Sequence, residues 1–460
     1  MAILLESARR RRKRTPIPGK AREALRPKHG WGVFRRIPGG WSRTMSQTAE
    51  TSSSRTAVIG AGITGITTAY QLQEIGENVV VFDRHPYAAM ETSYANGGQL
   101  SASNAEVWNQ VGTVVKGLKW MLRRDAPLLV NPRPSWHKYS WFAEFLAALP
   151  SYRDNTIATT RLAIAARRHL LDMADREGID FALEQRGILH VYRDAPALAH
   201  ATRVNALLRE GGLDRRPVDA DEIQALEPAL QQRFLGGFYT PSDFTGDIHL
   251  YTTGLARAVA RRGGQLCFET VVTGLKPRRD GVELRWRGPA GEEEGCFDRI
   301  VVCGGVGSRW LASQLGDRIN VYPVKGYSVT VNLPDVESQQ AAPWVSLLDD
   351  ATKIVTSRLG VGRFRIAGTA EYNGENRDIR ADRIAPLIRW CRTLFPGVSV
   401  ESVVPWAGLR PMMPDMMPRV QPGGRAGVYY NTGHGHLGWT LSAMTAWMTA
   451  QLVAAHRQGR

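Results

Sequence analysis

The stretch "TAVIGAGITGITTAY" constrains this chain more than any other part of it. Its short apolar run, Ala57-Val58-Ile59, reads as a buried parallel strand, and Gly60, Gly62 and Gly65 follow in G-x-G-x-x-G spacing. A helical stretch runs from Ile66 to Gly76. A second apolar strand, "NVVVFDR", ends at Asp83, 21 residues after Gly62. Each part has a task in a unit that binds a dinucleotide. Gly60 permits the tight turn, Gly62 lets backbone N–H groups approach a pyrophosphate, and Gly65 lets helix and strand pack closely. Ile63 and Thr64, between the glycines, are candidate contacts too, and the helix N-terminus offers unpaired donors and a positive dipole end to phosphate. Asp83 is placed to accept hydrogen bonds from an adenosine ribose, with Arg84 next to it. A glycine turn in an unrelated α/β unit is the plainer alternative, but strand, glycines, helix, strand and acid arrive here in order.

A simple nicotinamide enzyme would continue directly into a second nucleotide unit. Instead "ETSYANGGQLSAS", Glu91 to Ser103, follows at once. It is rich in small and amide residues, as suits a loop lying against a ligand, and Ser93, Asn96, Gly97, Gly98 and Gln99 are its candidate contacts. Residues 105–180 read as mainly helical, with Trp108, Trp120, Trp136 and Trp141 among Lys116, Lys119, Arg123 and Arg124. A core role for the tryptophans competes with a membrane-facing or partner-facing one. "FDRIVVCGGVGSRWLASQLG" returns to strand, glycines and helix, so the nucleotide domain resumes near 245; Val272 and Gly304 fall in this part. "GYSVTVNL" and "TKIVTSRLGVGRFRIAGTAEY" alternate as strands of an antiparallel sheet.

The organisation expected is α/β, and α+β overall: a Rossmann-like nucleotide domain with an inserted antiparallel-sheet substrate domain. Residues 1–54 form a basic tail. The nucleotide domain takes 55–110, 245–320 and 405–460, the last with a C-terminal helix; the second lobe takes 111–244, mainly helical, and 321–404. The net charge of +16 looks like that of a nucleic-acid binder until it is located. Residues 1–44 hold thirteen Lys/Arg against Glu6 and Glu23, leaving only +5 on the rest. That tail reads as disordered: an organellar presequence, an anionic-surface patch, or sequence ahead of a true start at Met45. No nucleic-acid partner is expected. No apolar run approaches the roughly 18–20 residues of a membrane span. Cys267, Cys296, Cys303 and Cys391 lack metal-like pairing and suit a reducing compartment as small buried hydrophobes.

Near the C-terminus, "NTGHGHLGWTL" packs glycines and two histidines between a strand and an amphipathic helix. The loop presents a helix N-terminus to whatever lies above it. Two histidines at i, i+2 without a Cys or acidic cluster make a poor zinc signature, so no metal is expected. Gly433, Gly435 and Gly438 leave room for a flat ring. His434, Leu437, Trp439 and Thr440 complete the candidate cofactor contacts, and the helix end can stabilise negative charge.

Taken together, "VIGAGITGITTAY", "ETSYANGGQLSAS", "LKWMLRRDAPL", "DFTGDIHLYTTGLA", "VYPVKGYSVTV", "WAGLRPMMPD" and "NTGHGHLGWTLS" resemble the D-amino-acid oxidase superfamily of glutathione-reductase-like flavoproteins. The likeness is closest to its D-amino-acid dehydrogenases (small subunit) and covers about residues 56–455. It implies FAD bound without a covalent link, and oxidation of D-amino acids to 2-oxo acids and ammonia by hydride transfer from the α-carbon to flavin N5. It also implies electrons passed to the respiratory chain, so a membrane quinone or other acceptor and a second subunit are expected partners. The expected location is cytoplasmic, with peripheral attachment to the inner face of the membrane as a variant. One departure stands out. Where the family pattern tends to read T-P-D-G-x-P-x-x-G, this chain has Met413 to Gln421, with Met416 and Gln421 replacing glycines, which puts the loop geometry in question.

Oxidising an amine requires the carboxylate fixed and the amine deprotonated. A planar guanidinium binds a carboxylate through two parallel hydrogen bonds, and Arg410 in "AGLRP" is the candidate, matching an arginine that related oxidases use in this way. An ion pair with Asp415 is the bland alternative. Tyr327 is a candidate hydroxyl donor to substrate and Lys325 a candidate neighbour of the flavin; both can equally be sheet residues. No side-chain base is evident. Glycine, sarcosine or D-hydroxyproline oxidation, a tRNA-modifying flavoprotein, and a flavin-binding protein without catalysis are the alternative readings.

Overall fold

The computed structural model describes residues 54–120 and 128–458. The basic tail, Arg123 and Arg124, and the side chains of Lys116, Lys119 and Trp120 lie outside what is described. No described helix is long and apolar enough to cross a membrane.

The nucleotide sheet grows from the strand Arg55–Ile59, which pairs in parallel with Asn78–Phe82 and Arg299–Val302. Gln265–Cys267 and Val428–Thr432 extend it in parallel, and Arg419–Pro422 closes one edge antiparallel. These strands are nearly continuous apolar runs because both faces are covered. On one face, helices Ile63–Glu74, Tyr152–Glu177, Ile248–Arg261 and Gly438–Gln458 bury a core including Tyr70, Leu170, Tyr251 and Trp439. On the other lies a three-stranded meander (Val271–Arg278, Gly281–Gly288, Gly291–Phe297), which packs Val282, Leu284 and Phe297 against Ala57, Ile59 and Phe82.

The second lobe is a nine-stranded sheet. Its order is Val403–Met412, Tyr322–Asn332, Arg363–Tyr372, Ile354–Arg358, Ser346–Asp349, Ile188–Tyr192, Gly236–Thr240 and Arg216–Val218, with Leu128–Val130 beside Arg363–Tyr372. It is mostly antiparallel, with two parallel pairs. One face packs on helix Ala381–Leu394 through Tyr327, Val329, Ile366 and Leu387. The strand Val403–Met412 belongs to this sheet, so the chain rejoins the nucleotide sheet only at Arg419, later than the boundary expected at 405. Four strands of the large sheet come from residues 111–244: Ile188–Tyr192, where "GILHVYRD" already reads as a strand, and Gly236–Thr240, Arg216–Val218 and Leu128–Val130, which the mainly helical reading does not anticipate.

The tryptophans divide. Trp141 is fully buried beside Phe145 and Tyr372, Trp136 is 81% exposed, and Trp108 borders the cavity described below. The cysteines divide too: Cys303 and Cys391 are buried, but Cys296 is exposed on the outer strand of the meander, contrary to expectation.

The glycine-amide loop joins the lobes. Ser328 Oγ donates to Ala95 O (2.7 Å), Ser357 Oγ to Gly97 O (2.7 Å), and Gln99 Nε2 to Ser346 Oγ (2.8 Å). Gly98 sits at φ +75°, and a methyl group on its α-carbon would meet Ser357 Cβ at 2.7 Å. Small residues therefore let this loop dock flush on the sheet.

Candidate active site

A cavity of about 1380 Å³ runs between the lobes. That exceeds the roughly 300–1,000 Å³ of an ordinary small-molecule pocket, leaving room for a dinucleotide and a small substrate. One end is the glycine turn. Gly60 sits at φ +111°, where a methyl group would meet the Cys303 carbonyl oxygen at 2.5 Å, and a methyl on Gly65 would meet Gly60 O at 1.8 Å. Gly65 accordingly lies under the turn and does not line the cavity, while Gly60, Gly62, Ile63 and Thr64 do. Ser93 Oγ accepts from the Ile63 N–H (3.0 Å), one of the helix donors with no partner inside the helix. Asp83 braces the turn by accepting from Ala61 N (2.7 Å) and His85 N (2.9 Å). Two carboxylate oxygens have room for more donors than these two. Arg84 borders the cavity with its guanidinium on Glu91. Asn96, Gly97, Gly98, Gln99, Val272 and Gly304 all line the same space.

The C-terminal loop forms a further part of the wall: Gly433, His434, Gly435, Leu437, Gly438, Trp439 and Thr440 all line the cavity. Gly433 and Gly435 take φ +77° and +60°, and methyl groups there would meet Met413 Cγ at 2.5 Å and Met412 Sδ at 2.9 Å. His434 is turned inward onto Thr445 Oγ1 (2.9 Å), and burial holds its pKa down at about 4. Among the described residues no group of His, Cys, Asp and Glu is placed to hold a metal ion.

The altered loop keeps its turn. Met416 itself adopts φ +64°, the left-handed region a glycine would favour. Its N–H reaches Met413 O (3.1 Å), and Asp415 accepts from Met417 N (3.2 Å) and Arg419 (2.9 Å). Gln421 is an ordinary strand residue paired with Tyr430.

Arg410 enters from the strand Val403–Met412, beside Val324 of its neighbour. The next pair on the same face is Gly326 and Gly408, and the guanidinium lies across Gly326. It donates to Thr369 O (3.0 Å). That carbonyl is aimed by a bulge: Thr369 and Ala370 together face Gly326, and Thr369 sits at φ +63°. No described carboxylate pairs with Arg410, and Asp415 is committed to Arg419. Burial lowers the Arg410 pKa to about 10, so it stays charged near neutrality.

Strand alternation separates the other two catalytic candidates from Arg410. Lys325 and Tyr327 point to the helix-covered face. Tyr327 donates to Glu371 Oε2 (2.6 Å), which raises its pKa along with burial, the larger cause. Lys325, fully buried, reaches Asn376 Oδ1 (2.6 Å) and Glu371 (3.4 Å) and does not line the cavity. Tyr327 borders the cavity, but its hydroxyl is engaged behind the sheet. The structure instead adds Thr369, Gly326, Trp108 and His436 to the lining. His436 lay in plain view in the glycine loop. Trp108 stood among the tryptophans already noted, whereas Thr369 and Gly326 carried no sequence signal, because their positions follow from the bulge and the strand pairing.

Cavity residues also carry buried side-chain atoms without a protein partner: Thr369 Oγ1, Asn431 Oδ1, His436 Nδ1 and Trp439 Nε1. Such groups are rare unless a ligand satisfies them. With the glycine cradle and two helix N-termini, they fit a flavin dinucleotide. The family of FAD-dependent oxidoreductases described as DAO matches residues 55–452. The chain belongs to that family. This FAD-dependent oxidoreductase is 61% identical to the D-amino acid dehydrogenase 3 of Mesorhizobium japonicum, over 86% of this chain and 96% of that one. It is 38% identical to the D-amino acid dehydrogenase of Paramagnetospirillum magneticum, covering 87% and 95% of the two chains. In fold it is similar to the glycine oxidase of Bacillus cereus (TM-score 0.65, 21% identity, 88% and 95% covered). The same holds for the L-proline dehydrogenase of P. horikoshii (TM-score 0.68, 15% identity, 88% and 94% covered).

Proposed function

We propose that this flavoprotein oxidises D-amino acids to 2-imino acids, which water converts to 2-oxo acids and ammonium. The observation that carries this reading is Arg410: a buried, charged guanidinium without a carboxylate partner among the described residues, in the cavity that also holds the glycine cradle. A buried cation left in this state calls for an anion, and an amino-acid carboxylate supplies it with two matching oxygens. The identity to two D-amino acid dehydrogenases along almost their whole lengths supports the choice of substrate class.

Bound FAD supplies the two-electron acceptor. Gly60, Gly62, Ile63 and Thr64 hold its pyrophosphate, Asp83 the ribose, and the 433–440 loop the ring. Arg410 fixes the substrate carboxylate and thereby sets which face of the α-carbon is presented. Thr369 O and Gly326 fix Arg410 in turn. The substrate amine enters neutral; the α-hydrogen leaves with the C–H electron pair, and the nitrogen lone pair forms the C=N bond. Positioning and a dry, charged site lower the barrier. Lys325 and Tyr327 hold Glu371 and the sheet. The electrons pass on to a quinone or another acceptor, with the enzyme peripheral to the membrane.

The test is anaerobic reduction. D-alanine or D-proline should bleach the oxidised flavin band, the L-isomers should not, and Arg410→Ala should abolish the response. A bound flavin that no D-amino acid, glycine or sarcosine bleaches would overturn this reading.

A further inference from the structure

Among the described residues that line the cavity, His436 has a buried ring nitrogen without a partner. Its Nε2 lies 3.2 Å from the backbone oxygen of Asn104. A carbonyl only accepts, so Nε2 carries the ring proton and Nδ1 is a bare acceptor. Nδ1 is buried and has no partner. The ring is stacked on Trp108 (centroids 4.9 Å apart, planes at 21°), so it cannot turn to find one cheaply. Leaving a buried acceptor unmatched costs about 1–3 kcal/mol, and the missing donor must come from whatever occupies the cavity.

The position says which donor. An antiparallel bridge joins Met412 to His434. Arg410, two residues back from Met412, and His436, two residues on from His434, both line the cavity near this bridge, close enough for the guanidinium charge to act on the imidazole. In an α-amino acid the amine and the carboxylate share one carbon. A group that holds the amine must stand beside the group that holds the carboxylate, and His436 stands there. The charged groups around it are Arg410 and Glu106, the latter already engaged by Tyr152 Oη and Gln110 Nε2 (2.7 Å each).

We propose that His436 Nδ1 accepts a hydrogen bond from the α-amine of the substrate. This rests on the amine-oxidising reading above. No proton is transferred: the acceptor holds one N–H and leaves the amine lone pair free to align with the breaking C–H bond. His436 is thus a substrate contact that distinguishes an amino acid from a plain carboxylic acid. Burial, the main cause, with the charge of Arg410 holds the imidazole near pKa 4, which suits a neutral acceptor and not a general base.

The experiment uses the full-length, FAD-loaded protein and two ligands that cannot be oxidised by loss of an α-hydrogen from an amine-bearing carbon. These are 2-aminoisobutyrate, which carries amine and carboxylate, and isobutyrate, which lacks the amine. Dissociation constants are read from the flavin spectrum. In His436→Asn the side-chain oxygen replaces Nδ1; in His436→Gln the amide keeps the link to Asn104 but no atom replaces Nδ1. Wild type should prefer 2-aminoisobutyrate. His436→Gln should lose about tenfold of that preference, the equivalent of one hydrogen bond. His436→Asn should retain it, and isobutyrate should bind alike in all three. Equal weakening of both ligands in His436→Gln, or an unchanged preference, overturns the proposal. A wild type that shows no preference and is not bleached by any D-amino acid overturns the amine-oxidising reading itself. Bleaching without the preference overturns the role of His436 alone.

Discussion

The guanidinium of Arg410 rests on the α-carbon of Gly326: a methyl group there would stand 2.4 Å from its central carbon and from both terminal nitrogens. The neighbouring strand has left out a side chain so that this guanidinium, the proposed carboxylate anchor, can lie flat. Gly326→Ala should therefore displace Arg410 without touching the cofactor cradle. A shift of about 1 Å in a positioning group can cost on the order of 100-fold, so kcat/KM should fall by about that factor while bound flavin stays stoichiometric. Steady-state kinetics with a D-amino acid, beside the flavin-to-protein absorbance ratio, checks this. Normal kinetics would show that Arg410 has freedom the packing denies.

The opposite face of the same strand predicts the opposite behaviour. Tyr327 and Lys325 meet Glu371 behind the sheet, where Asn373 Nδ2 also donates to that carboxylate (2.9 Å). Tyr327→Phe removes one hydrogen bond to a buried charged group, which costs about 2 kcal/mol. Stability in urea should drop by that amount, with the slope unchanged, while kcat and KM stay as in wild type. A collapse of kcat in Tyr327→Phe would restore the hydroxyl to the chemistry.

That contrast locates what was legible in the sequence. The nucleotide cradle could be read because each task falls on a residue type few others can replace: Gly60 at φ +111°, Gly65 under the turn, an acid at the end of the second strand. Arg410 stood out as a candidate because only a guanidinium offers a planar fork, and it lines the cavity. The facing of Lys325 and Tyr327 could not. Period-2 alternation says that they share a face, but which face is set by pairing with a strand 80 to 84 residues away and by the bulge at Thr369. Two strands from the helical-looking segment were hidden by their length. Leu128–Val130 and Arg216–Val218 are three residues each, too short for a period to show.

Acid should destabilise this protein through its buried histidines. Burial holds His434 and His436 at about pKa 4 in the folded state, against about 6.5 in an unfolded chain. Between those values the unfolded chain binds protons that the folded one does not. Stability from these groups is thus fully present above about pH 6.5 and is lost as the pH falls toward 4. The arithmetic gives about 2 kcal/mol lost per histidine at pH 5. His434→Gln, at the ring that faces Thr445, should recover about 2 kcal/mol of the pH 5 deficit. Urea unfolding at pH 7 and pH 5 with saturating FAD measures it; an identical deficit in the variant would place the sensitivity elsewhere.

Met416 poses a contest between backbone and side chain. At φ +64° it occupies a conformation that costs an L-residue about 1–2 kcal/mol, which glycine would remove. Its side chain, 6% exposed, packs in a cluster with Trp141, Tyr322 and Tyr372. Deleting a buried methionine side chain to alanine costs about 2–5 kcal/mol, and glycine also frees the unfolded chain. The packing term is the larger, so Met416→Gly should destabilise the protein by about 1–3 kcal/mol. The turn itself should survive, because Asp415 holds it through Met417 N and Arg419 whatever stands at 416. Activity per folded molecule should then match wild type, and urea unfolding with kinetics on the same preparation separates the two effects. A more stable glycine variant would mean that backbone strain, and not packing, dominates this turn.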